Sequence, residues 1–499
     1  MTEPSPVQGA PRVLLSLGLE RDSSTSLYRQ LYEQIRDLIL NGRLAVGSRL
    51  PSSRSLANDL AVSRNTVVTA FDQLFAEGYI DSKVGSGAYV SLELPEVALT
   101  ALARQSASSA SRRRKSGVSK RGSALAAFHA SARDTVSIFS PGQPDTENFP
   151  FGIWTRLMSR VWRHPDASLL QAGDPAGYLP LRRAVADYLA TARAVDCTAG
   201  EVIIVSGAQQ AISLAAHVLL DNGDPALIED PGYPGVGGAL MGAGARLFPV
   251  PVDDEGFDVR VAEKMAPEAR LVCVAPSRQY PLGITMTLSR RLELLDWAAR
   301  VDGWIIEDDY DSEYRYTGKP LASLQGLDRD GRVVYLGSFS KVLFPSLRLG
   351  YLVVPPDLVE DFRKARRALD DHPSILAQPA LAGFIESGAF AAHLRKMRKL
   401  YESRQRALVS AADRHLSGRL RVDAADAGMH LVGYFSPAMS RRMTDVEAAR
   451  RAAAVGLSVY PLSTFYADPE RGQQGLLLGY AAVPEAQMDA AIARLAAAL

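Results

Sequence analysis

The N-terminal part of the chain shows apolar residues at helical spacing, followed by a short alternating stretch. Residues 26–40 repeat an apolar side chain every third or fourth position, which predicts an amphipathic helix. Residues 51–60 and 64–75 predict two further short helices, and Ser63 is placed to cap the third. Residues 82–90 then predict two short strands joined by a glycine turn. The pattern therefore predicts a small module of three helices and a β-ribbon.

Three helices followed by a β-ribbon are the outline of a winged helix-turn-helix, in which the N-terminus of the third helix contacts base edges. Arg64, Asn65 and Thr66 occupy that position. Arg54 and Lys83 could reach phosphates from the second helix and the ribbon. The candidate DNA contacts are Arg54, Ser63, Arg64, Asn65, Thr66, Lys83 and Gly87.

The alternative for this module is a small helical interaction domain whose Ser-Arg-Asn-Thr segment only caps a helix. Charge favours that alternative slightly, because residues 1–96 contain nine Lys or Arg and eleven Asp or Glu. The net charge of residues 1–96 therefore does not provide the excess of positive charge that attracts nucleic acid.

Residues 97–133 form the next distinct stretch, and they contain no acidic residue. Arg and Lys are scattered there among Ser, Ala and Gly, a composition typical of a disordered tether rather than a packed element. The positive charge could add salt-sensitive DNA affinity, or the stretch could be only a solvated spacer. We therefore expect a DNA-binding domain at residues 20–92, a flexible basic linker at 93–134 and a second domain at 135–499.

After the linker the chain alternates short apolar strands with helices. Strand-like residues 201–205, 226–230 and 271–274 each end in a turn that contains Gly or Pro. Parallel strands with such turns bring their carboxyl ends to one crevice, so the pattern predicts a doubly wound, mostly parallel sheet with flanking helices. A small C-terminal α/β part follows, with strand-like residues 431–435 and 476–480. The predicted fold class is α/β.

Candidate chemistry is concentrated after two of the predicted strands. Lys341 follows a buried strand, where desolvation lowers the pKa of a lysine and makes its neutral amine available to form a Schiff base. Ser338, Ser340 and Arg348 lie close by as donors for a phosphate. Asp308 ends an earlier strand, and an acidic group beside a pyridinium nitrogen is what pyridoxal phosphate needs. Taken alone, the lysine segment would also fit a solvated surface loop.

Two groups of motifs carry a family resemblance. The N-terminal module contains Leu50-Pro51-Ser52-x-Arg54-x-Leu56-Ala57, Val62-Ser63-Arg64-Asn65-Thr66-Val67 and Gly85-Ser86-Gly87-x-Tyr89-Val90. The second domain contains Glu307-Asp308-Asp309-Tyr310-Asp311-Ser312-Glu313-Tyr314 and Ser338-x-Ser340-Lys341. Together they resemble the MocR-type regulators, a branch of the GntR family that joins a winged helix-turn-helix to a fold-type I aminotransferase-like domain. The resemblance covers both predicted domains.

The resemblance implies that the second domain binds pyridoxal 5'-phosphate (PLP) through residues at matching positions. Lys341 would form the Schiff base, Asp308 would pair with the pyridine nitrogen, and Tyr310 would hydrogen-bond the phenolic oxygen. Tyr233 would lie near the ring. The phosphate would be held by Ser206, Gly207, Ala208, Gln209, Ser338, Ser340 and Arg348. Members of the family form head-to-tail homodimers, which would present two DNA-binding domains to paired half-sites.

Two positions depart from aminotransferases, and both bear on function. Tyr280 stands where their Asn-Pro-x-Gly motif has asparagine, although MocR-type proteins commonly have an aromatic residue there. Leu477-Leu478-Gly479 stands where aminotransferases usually carry an arginine for the substrate carboxylate, so Arg278, Arg471 or another arginine would have to replace it. Without such an anchor a carboxylate loses charged hydrogen bonds worth ~1.5–3 kcal/mol each. The sequence therefore argues against efficient transamination.

The favoured hypothesis is a PLP-binding transcription regulator that senses PLP or a small amino compound, such as GABA or taurine. Its targets would be genes of vitamin B6 or amino-acid metabolism, and a ligand with different affinities for two arrangements of the protein would switch it. One alternative is an active PLP-dependent aminotransferase with an accessory DNA-binding head. Another is a DNA-binding protein whose large domain is only a dimerisation scaffold.

Composition adds limits rather than a further function. A net charge of +1 over 499 residues favours no particular partner. Cys197 and Cys273 lie far apart, which points to a reducing compartment, and the seven histidines show no ligand spacing, so we expect no metal site. No apolar run reaches the ~18 residues of a membrane span, and the first residues lack a signal pattern, so we expect a cytoplasmic protein.

Overall fold

The described part of the N-terminal unit contains the three helices α1 to α3 and a two-stranded ribbon. The computed structural model describes Leu14 and residues 17–83, 87–92, 117–128, 137–318 and 322–499, and the chain divides into two units after Gly117. The elements of the first unit are α1 (Leu27–Leu40), α2 (Ser53–Asp59), α3 (Arg64–Ala76), β1 (Ile80–Lys83) and β2 (Gly87–Val90).

Burial in this unit follows the apolar period of the sequence. Helix α1 buries one stripe of side chains that includes Leu31, Ile35 and Ile39. Ser63 caps α3, because its hydroxyl accepts a hydrogen bond from the backbone N–H of Thr66 at 3.1 Å. Strands β1 and β2 pair antiparallel as a ribbon. The three helices and the ribbon predicted from the sequence are thus confirmed.

The second unit is organised around an eight-stranded sheet with the order β3-β10-β9-β8-β7-β4-β5-β6. Its strands are β3 (Val202–Val205), β4 (Pro225–Asp230), β5 (Arg246–Asp253), β6 (Gly256–Phe257), β7 (Leu271–Val274), β8 (Trp304–Asp309), β9 (Val333–Ser338) and β10 (Gly350–Val353). The central strands run parallel, whereas β10 is antiparallel to both neighbours and β6 is antiparallel to β5. The mostly parallel α/β sheet is confirmed.

Helices accompany this sheet and continue into a smaller C-terminal part. The first ones are α4 (Lys120–Phe128), α5 (Phe151–Arg163), α6 (Leu179–Ala192), α7 (Ala208–Leu219), α8 (Pro234–Ala243), α9 (Val259–Met265), α10 (Leu288–Val301) and α11 (Leu324–Leu327). The later ones are α12 (Val359–Asp370), α13 (Gln378–Glu386), α14 (Ala389–His415), α15 (Pro437–Arg442), α16 (Asp445–Ala454) and α17 (Glu485–Ala498). Strands β3 and β7 are buried along their whole length, as expected for strands covered on both faces.

The C-terminal part contains a four-stranded antiparallel sheet with the order β11-β12-β14-β13. Its strands are β11 (Leu420–Val422), β12 (His430–Phe435), β13 (Tyr460–Pro461) and β14 (Gly475–Gly479). Two of them, β12 and β14, were expected from the sequence at nearly these bounds. No helix in the described part of the chain is long and apolar enough to cross a membrane.

The expectation of a disordered linker is wrong for residues 120–128, where the chain forms helix α4 and packs against α8. Arg121 donates a hydrogen bond to the Asn222 side-chain oxygen at 3.0 Å, and Leu125 lies beside Gly242, which leaves room for it. Alanine and leucine are good helix formers, so a short contact surface suffices to order this segment. The rest of the predicted linker, including most of its basic residues, lies outside the described residues.

Candidate functional site

Three consecutive carboxylates at the end of β8 have different surroundings because side chains alternate between the two faces of a strand. Glu307 accepts hydrogen bonds from the backbone N–H groups of Leu324 and Gln325, each at 2.9 Å. Asp309 lies 2.7 Å from the guanidinium of Arg193 in a buried ion pair. Asp308 faces the other way and lines a cavity. The alternation thus leaves one of the three carboxylates available to a ligand.

Lys341 follows β9 and reaches the same cavity as Asp308. Its amine donates a hydrogen bond to the backbone oxygen of Gly142 at 2.9 Å. Burial lowers the pKa of Lys341, although Asp311 and Asp308 oppose that shift. A lowered pKa increases the fraction of neutral amine, which is the nucleophilic form.

The carboxyl group of Asp308 also responds to burial. Burial raises the pKa of Asp308 to about 7, Asp309 adds to the shift, and Lys341 opposes it. Lys341 and Asp308 therefore stabilise one another's charge too weakly to cancel the cost of removing both groups from water. A ligand that bears a charged nitrogen beside Asp308 would lower this cost.

The cavity opens to solvent, and the space between its wall residues, open solvent included, is about 820 Å³. It lies at the carboxyl ends of β4, β7, β8 and β9, where parallel strands bring the ends of separate segments together. Its wall includes Gly142, Ala208, Glu229, Tyr233, Cys273, Tyr280, Asp308, Tyr310, Asp311, Ser338, Lys341 and His430.

Several polar atoms of the predicted cofactor residues are buried without a partner among the described residues, and they match the hydrogen-bond donors and acceptors that PLP would require. Asp308 Oδ1, the Tyr310 hydroxyl and the Ser340 hydroxyl make no hydrogen bond within the described part of the chain. Unsatisfied buried polar groups are rare in proteins and call for a ligand or water. Tyr233 is 39% exposed and meets Tyr280 edge-on at 5.9 Å, so its ring is accessible at the wall. The residues present therefore fit the cofactor.

A phosphate cradle lies at the N-terminus of α7. Gly207 caps this helix with φ 117°, a conformation that favours glycine, and a Cβ built there would lie 3.6 Å from two nitrogens of Arg348. Free backbone N–H groups at Ala208 and Gln209 add to the positive end of the helix. The guanidinium of Arg348 and the start of α7 are thus adjacent.

Other predicted phosphate contacts are already engaged within the chain. The backbone N–H of Ser206 donates to the side chain of Gln210 at 2.6 Å. The Ser338 hydroxyl accepts a hydrogen bond from the backbone N–H of Ser340 at 3.3 Å. The Gln209 side chain lies 3.5 Å from the Tyr233 hydroxyl. These contacts favour Ala208 and Arg348, together with the Ser340 hydroxyl, as phosphate partners over the backbone of Ser206.

Sequence reasoning missed Gly142, Glu229, Asp311, Cys273 and His430, which line the cavity. They come from five separate segments, and only Asp311 stands within a motif that the sequence singled out. Burial raises the pKa of Glu229 to about 8 and lowers the pKa of His430 to about 3, with Arg278 adding to the latter shift. No group of His, Cys, Asp and Glu among the described residues could hold a metal ion.

Neither arginine considered as a carboxylate anchor is free in the cavity. Arg278 is buried, donates a hydrogen bond to the backbone oxygen of His430 at 2.8 Å and lies 3.4 Å from Asp311. The Arg471 side chain is 89% exposed and pairs with Asp468 at 3.3 Å. Tyr280, which replaces the usual asparagine, lines the cavity wall. In the structure, too, neither of these two arginines is placed to anchor a substrate carboxylate, and an aromatic residue stands where aminotransferases have asparagine.

In the N-terminal unit, Arg54, Arg64 and Asn65 are exposed at the second and third helices. The hydroxyls of Ser63 and Thr66 lie 2.8 Å apart and bond to one another, so both serve the helix cap. Gly87 opens β2 with φ 105°, and a Cβ there would lie 3.4 Å from the guanidinium of Arg49. Lys83 pairs with Gly87 at the end of the ribbon. The exposed Arg49 is a further basic side chain beside the ribbon that the sequence analysis did not select.

Comparison with known proteins gives two family matches. The family described as bacterial regulatory proteins, gntR family, matches residues 27–90, and the family described as aminotransferase class I and II matches residues 139–495. The chain is 43% identical over 470 residues to the probable rhizopine catabolism regulatory protein MocR of Rhizobium meliloti, covering 94% of this chain and 92% of that protein. It is 33% identical to the pyridoxine biosynthesis transcriptional regulator PdxR of Corynebacterium glutamicum over 391 residues, 78% of this chain and 80% of that one.

Among solved structures, the kynurenine aminotransferase of Pyrococcus horikoshii, determined with pyridoxamine phosphate (PMP), is similar to the second unit. The TM-score is 0.66 at 26% identity, and the match covers 77% of this chain and 95% of the aminotransferase. The second unit therefore has the fold of relatives that depend on PLP chemistry.

Proposed function

This chain belongs to the MocR-type branch of the GntR family of transcription regulators, and from that premise we propose that its second unit binds PLP and senses a small ligand with it. The observation that supports this most directly is one cavity holding the Lys341 amine, an unpaired Asp308 oxygen and an unpaired Tyr310 hydroxyl. The proposed domain bounds are 20–92 for DNA binding and 135–499 for sensing and dimerisation.

PLP, when bound, supplies an aldehyde that reacts with primary amines and a ring that withdraws electrons. In this proposal the Lys341 amine, with its lowered pKa, is the group that engages the aldehyde. Asp308 would accept a hydrogen bond from the protonated ring nitrogen, and its Oδ1 would then have the partner that no described residue provides. Tyr310 would donate a hydrogen bond from its hydroxyl to the phenolic oxygen of PLP. The start of α7, together with Arg348, would hold the phosphate.

The proposed reading of DNA rests on the exposed start of α3. Arg64 and Asn65 are free to reach base edges there, whereas Arg54 is placed for a phosphate and Ser63 holds the helix start. A homodimer would double this surface, so the proposed operator contains paired half-sites. Ligand binding to the second unit shifts the balance between two arrangements of the dimer and thereby changes DNA affinity.

The ligand itself is proposed from the chemistry of the site and from the names of relatives. Two relatives are named for the regulation of rhizopine catabolism and pyridoxine biosynthesis, which makes PLP or a small amino compound the candidate signal. An active aminotransferase is the second candidate, favoured by the likeness to the kynurenine aminotransferase. The absence of a free arginine among the described wall residues weighs against it.

The test is visible absorption of the purified chain with added PLP, before and after borohydride. The wild type should develop a Schiff-base band that borohydride fixes covalently to the protein, and Lys341→Ala should not. Lys399→Ala is the matched control, because Lys399 is exposed on α14, away from the cavity. If the Lys341→Ala protein gave the wild-type band, Lys341 would not be the cofactor lysine. Turnover of amino donors well above Lys341→Ala would favour the aminotransferase.

A further inference from the structure

The charged groups that line the cavity are unequally distributed. Three carboxyl groups reach its wall, those of Glu229, Asp308 and Asp311. Lys341 is the single lysine, and no arginine is found among the lining residues that the structure describes. His430 is neutral, because burial lowers its pKa to about 3. Once Lys341 and Asp308 are engaged by PLP, the described wall offers an incoming ligand the carboxyl groups of Asp311 and Glu229 and no cation, and burial raises the pKa of Glu229 to about 8, which keeps that group largely protonated near pH 7.

Arg278 cannot supply the missing cation without leaving its present contacts. Arg278 is 4% exposed, and its guanidinium packs closely against Gly428 and Gly283. A Cβ added to Gly428 would lie 2.1 Å from the guanidinium, and a Cβ added to Gly283 would lie 3.1 Å from it. One of its terminal nitrogens donates a hydrogen bond to the backbone oxygen of His430 at 2.8 Å. The guanidinium is therefore packed against these two glycines, and the carboxylate that it pairs with is that of Asp311 rather than that of a ligand.

Asp311 is a carboxyl group of this wall that Arg278 compensates only in part. It is 1% exposed, and neither carboxylate oxygen has a hydrogen-bond donor in the described chain. Its ion-pair partner is Arg278, 3.4 Å from Oδ2, and Oδ1 has no hydrogen-bond partner among the described residues. A buried carboxylate without donors is costly, so a ligand donor at this position would be strongly favoured.

We propose that the effector is a primary amine without a carboxylate, and that a hydroxyl or second ammonium group of this amine donates a hydrogen bond to Asp311. The proposal rests on PLP binding, since the primary amine is the group that reacts with the cofactor. An α-carboxylate would find no free cation among the described wall residues and would meet the charge of Asp311, whereas a hydroxyl or ammonium group would satisfy Asp311. Asp311 is thus a residue that sets ligand specificity.

The raised pKa of Asp311 supports the same preference for a ligand that donates a hydrogen bond. Burial raises the pKa of Asp311 to about 7, and Arg278 opposes this shift. The pKa stays raised because the single ion pair with Arg278 compensates the buried charge incompletely. A bound ammonium or hydroxyl donor would hold Asp311 in its ionised form. A bound carboxylate would raise the cost further.

The experiment compares ligands that differ only in the α-carboxylate, using the full-length chain loaded with PLP. The pairs are ethanolamine with L-serine and 1,4-diaminobutane with L-ornithine, and binding is measured by calorimetry and by the change in visible absorption. We expect each amine to bind at least tenfold more tightly than its amino acid. L-serine methyl ester, whose carboxylate is masked, should recover most of the affinity of ethanolamine.

Asp311→Asn keeps the size of the side chain and removes its charge, and Asp230→Asn is the matched control. Asp230 is likewise a carboxylate near the carboxyl end of the sheet, but it does not line the cavity and accepts a hydrogen bond from the backbone N–H of Ala467. We expect Asp311→Asn to reduce the amine-to-amino-acid preference at least fivefold, and Asp230→Asn to leave it unchanged. A merely structural Asp311 would change stability, or weaken both ligands equally, and leave that ratio intact.

The outcomes separate this inference from the function on which it rests. Loss of the PLP band would overturn PLP binding, and the effector class with it. A normal band with amino acids binding as tightly as the amines would overturn the effector class alone. If Asp311→Asn failed to fold, the wild-type ratios and the methyl ester would still decide whether a carboxylate is excluded.

Discussion

Replacing Gly142 with alanine should weaken PLP binding, although residue 142 contributes only backbone to the cavity. Its φ is +69°, and a Cβ there would lie 2.6 Å from Lys341 Nζ and 3.4 Å from Lys341 Cε. Alanine in this left-handed conformation costs about 1–2 kcal/mol. Because a Cβ cannot approach an atom so closely, the Lys341 side chain must move away from residue 142, against whose backbone oxygen its amine now lies. The cofactor lysine would then be displaced from its position.

The measurement is a PLP titration followed by visible absorption, together with urea unfolding of the protein without PLP. We expect the Kd for PLP to rise at least tenfold, which corresponds to about 1.4 kcal/mol. The free energy of unfolding should fall by at least the backbone cost of about 1–2 kcal/mol.

Gly388→Ala supplies the matched control for this substitution. Gly388 has φ +76°, close to that of Gly142, but no described atom lies within 4 Å of a Cβ built there. It should lose about 1–2 kcal/mol of stability and keep the wild-type affinity for PLP. Wild-type PLP affinity in Gly142→Ala would refute the contact between Lys341 and this segment.

Three further results are expected. Arg193→Ala leaves Asp309 buried without the partner it contacts at 2.7 Å, so urea unfolding should show a loss of about 3–5 kcal/mol; a loss below about 1 kcal/mol would contradict the buried ion pair. The pKa of Asp308 is raised from 3.8 to about 7, so its contribution to stability is complete below about pH 4 and is lost as the pH rises through about 7. Asp308→Asn should therefore reduce the fall in stability between about pH 5 and pH 8 in the PLP-free protein, and an unchanged slope would refute this assignment. Arg64→Ala should weaken binding to a DNA fragment selected by the wild type by about 1–3 kcal/mol in fluorescence anisotropy, with the PLP band retained; unchanged DNA affinity would exclude Arg64 from base contacts.

The elements that could be predicted are those with short-range causes. Helices α1 and α3 follow from an apolar period and from the Ser63 cap, which lies three residues from the N–H that it accepts. Apolar runs that end in Gly or Pro turns similarly predicted the parallel strands. Once these strands were recognised, their carboxyl ends had to meet, so Lys341 and Asp308 were expected in one crevice.

The linker shows where local reasoning failed. Its composition is that of a tether, yet residues 120–128 form a helix against α8. The contacts that order it join Arg121 to Asn222, 101 residues later, and Leu125 to the space beside Gly242. Composition describes a segment by itself and carries no information about a docking surface contributed by a distant part of the chain.

The sequence by itself determined the two-domain plan, the α/β class and the motif residues around Lys341, because motif spacing and side-chain period act over a few residues. Only the tertiary structure decided which of three adjacent carboxylates faces the cavity, and that Arg278 is committed to Asp311. It likewise placed Gly142 against Lys341 across 199 residues of chain. These outcomes depend on which buried groups compensate one another's desolvation, and that balance exists only when distant segments are packed together.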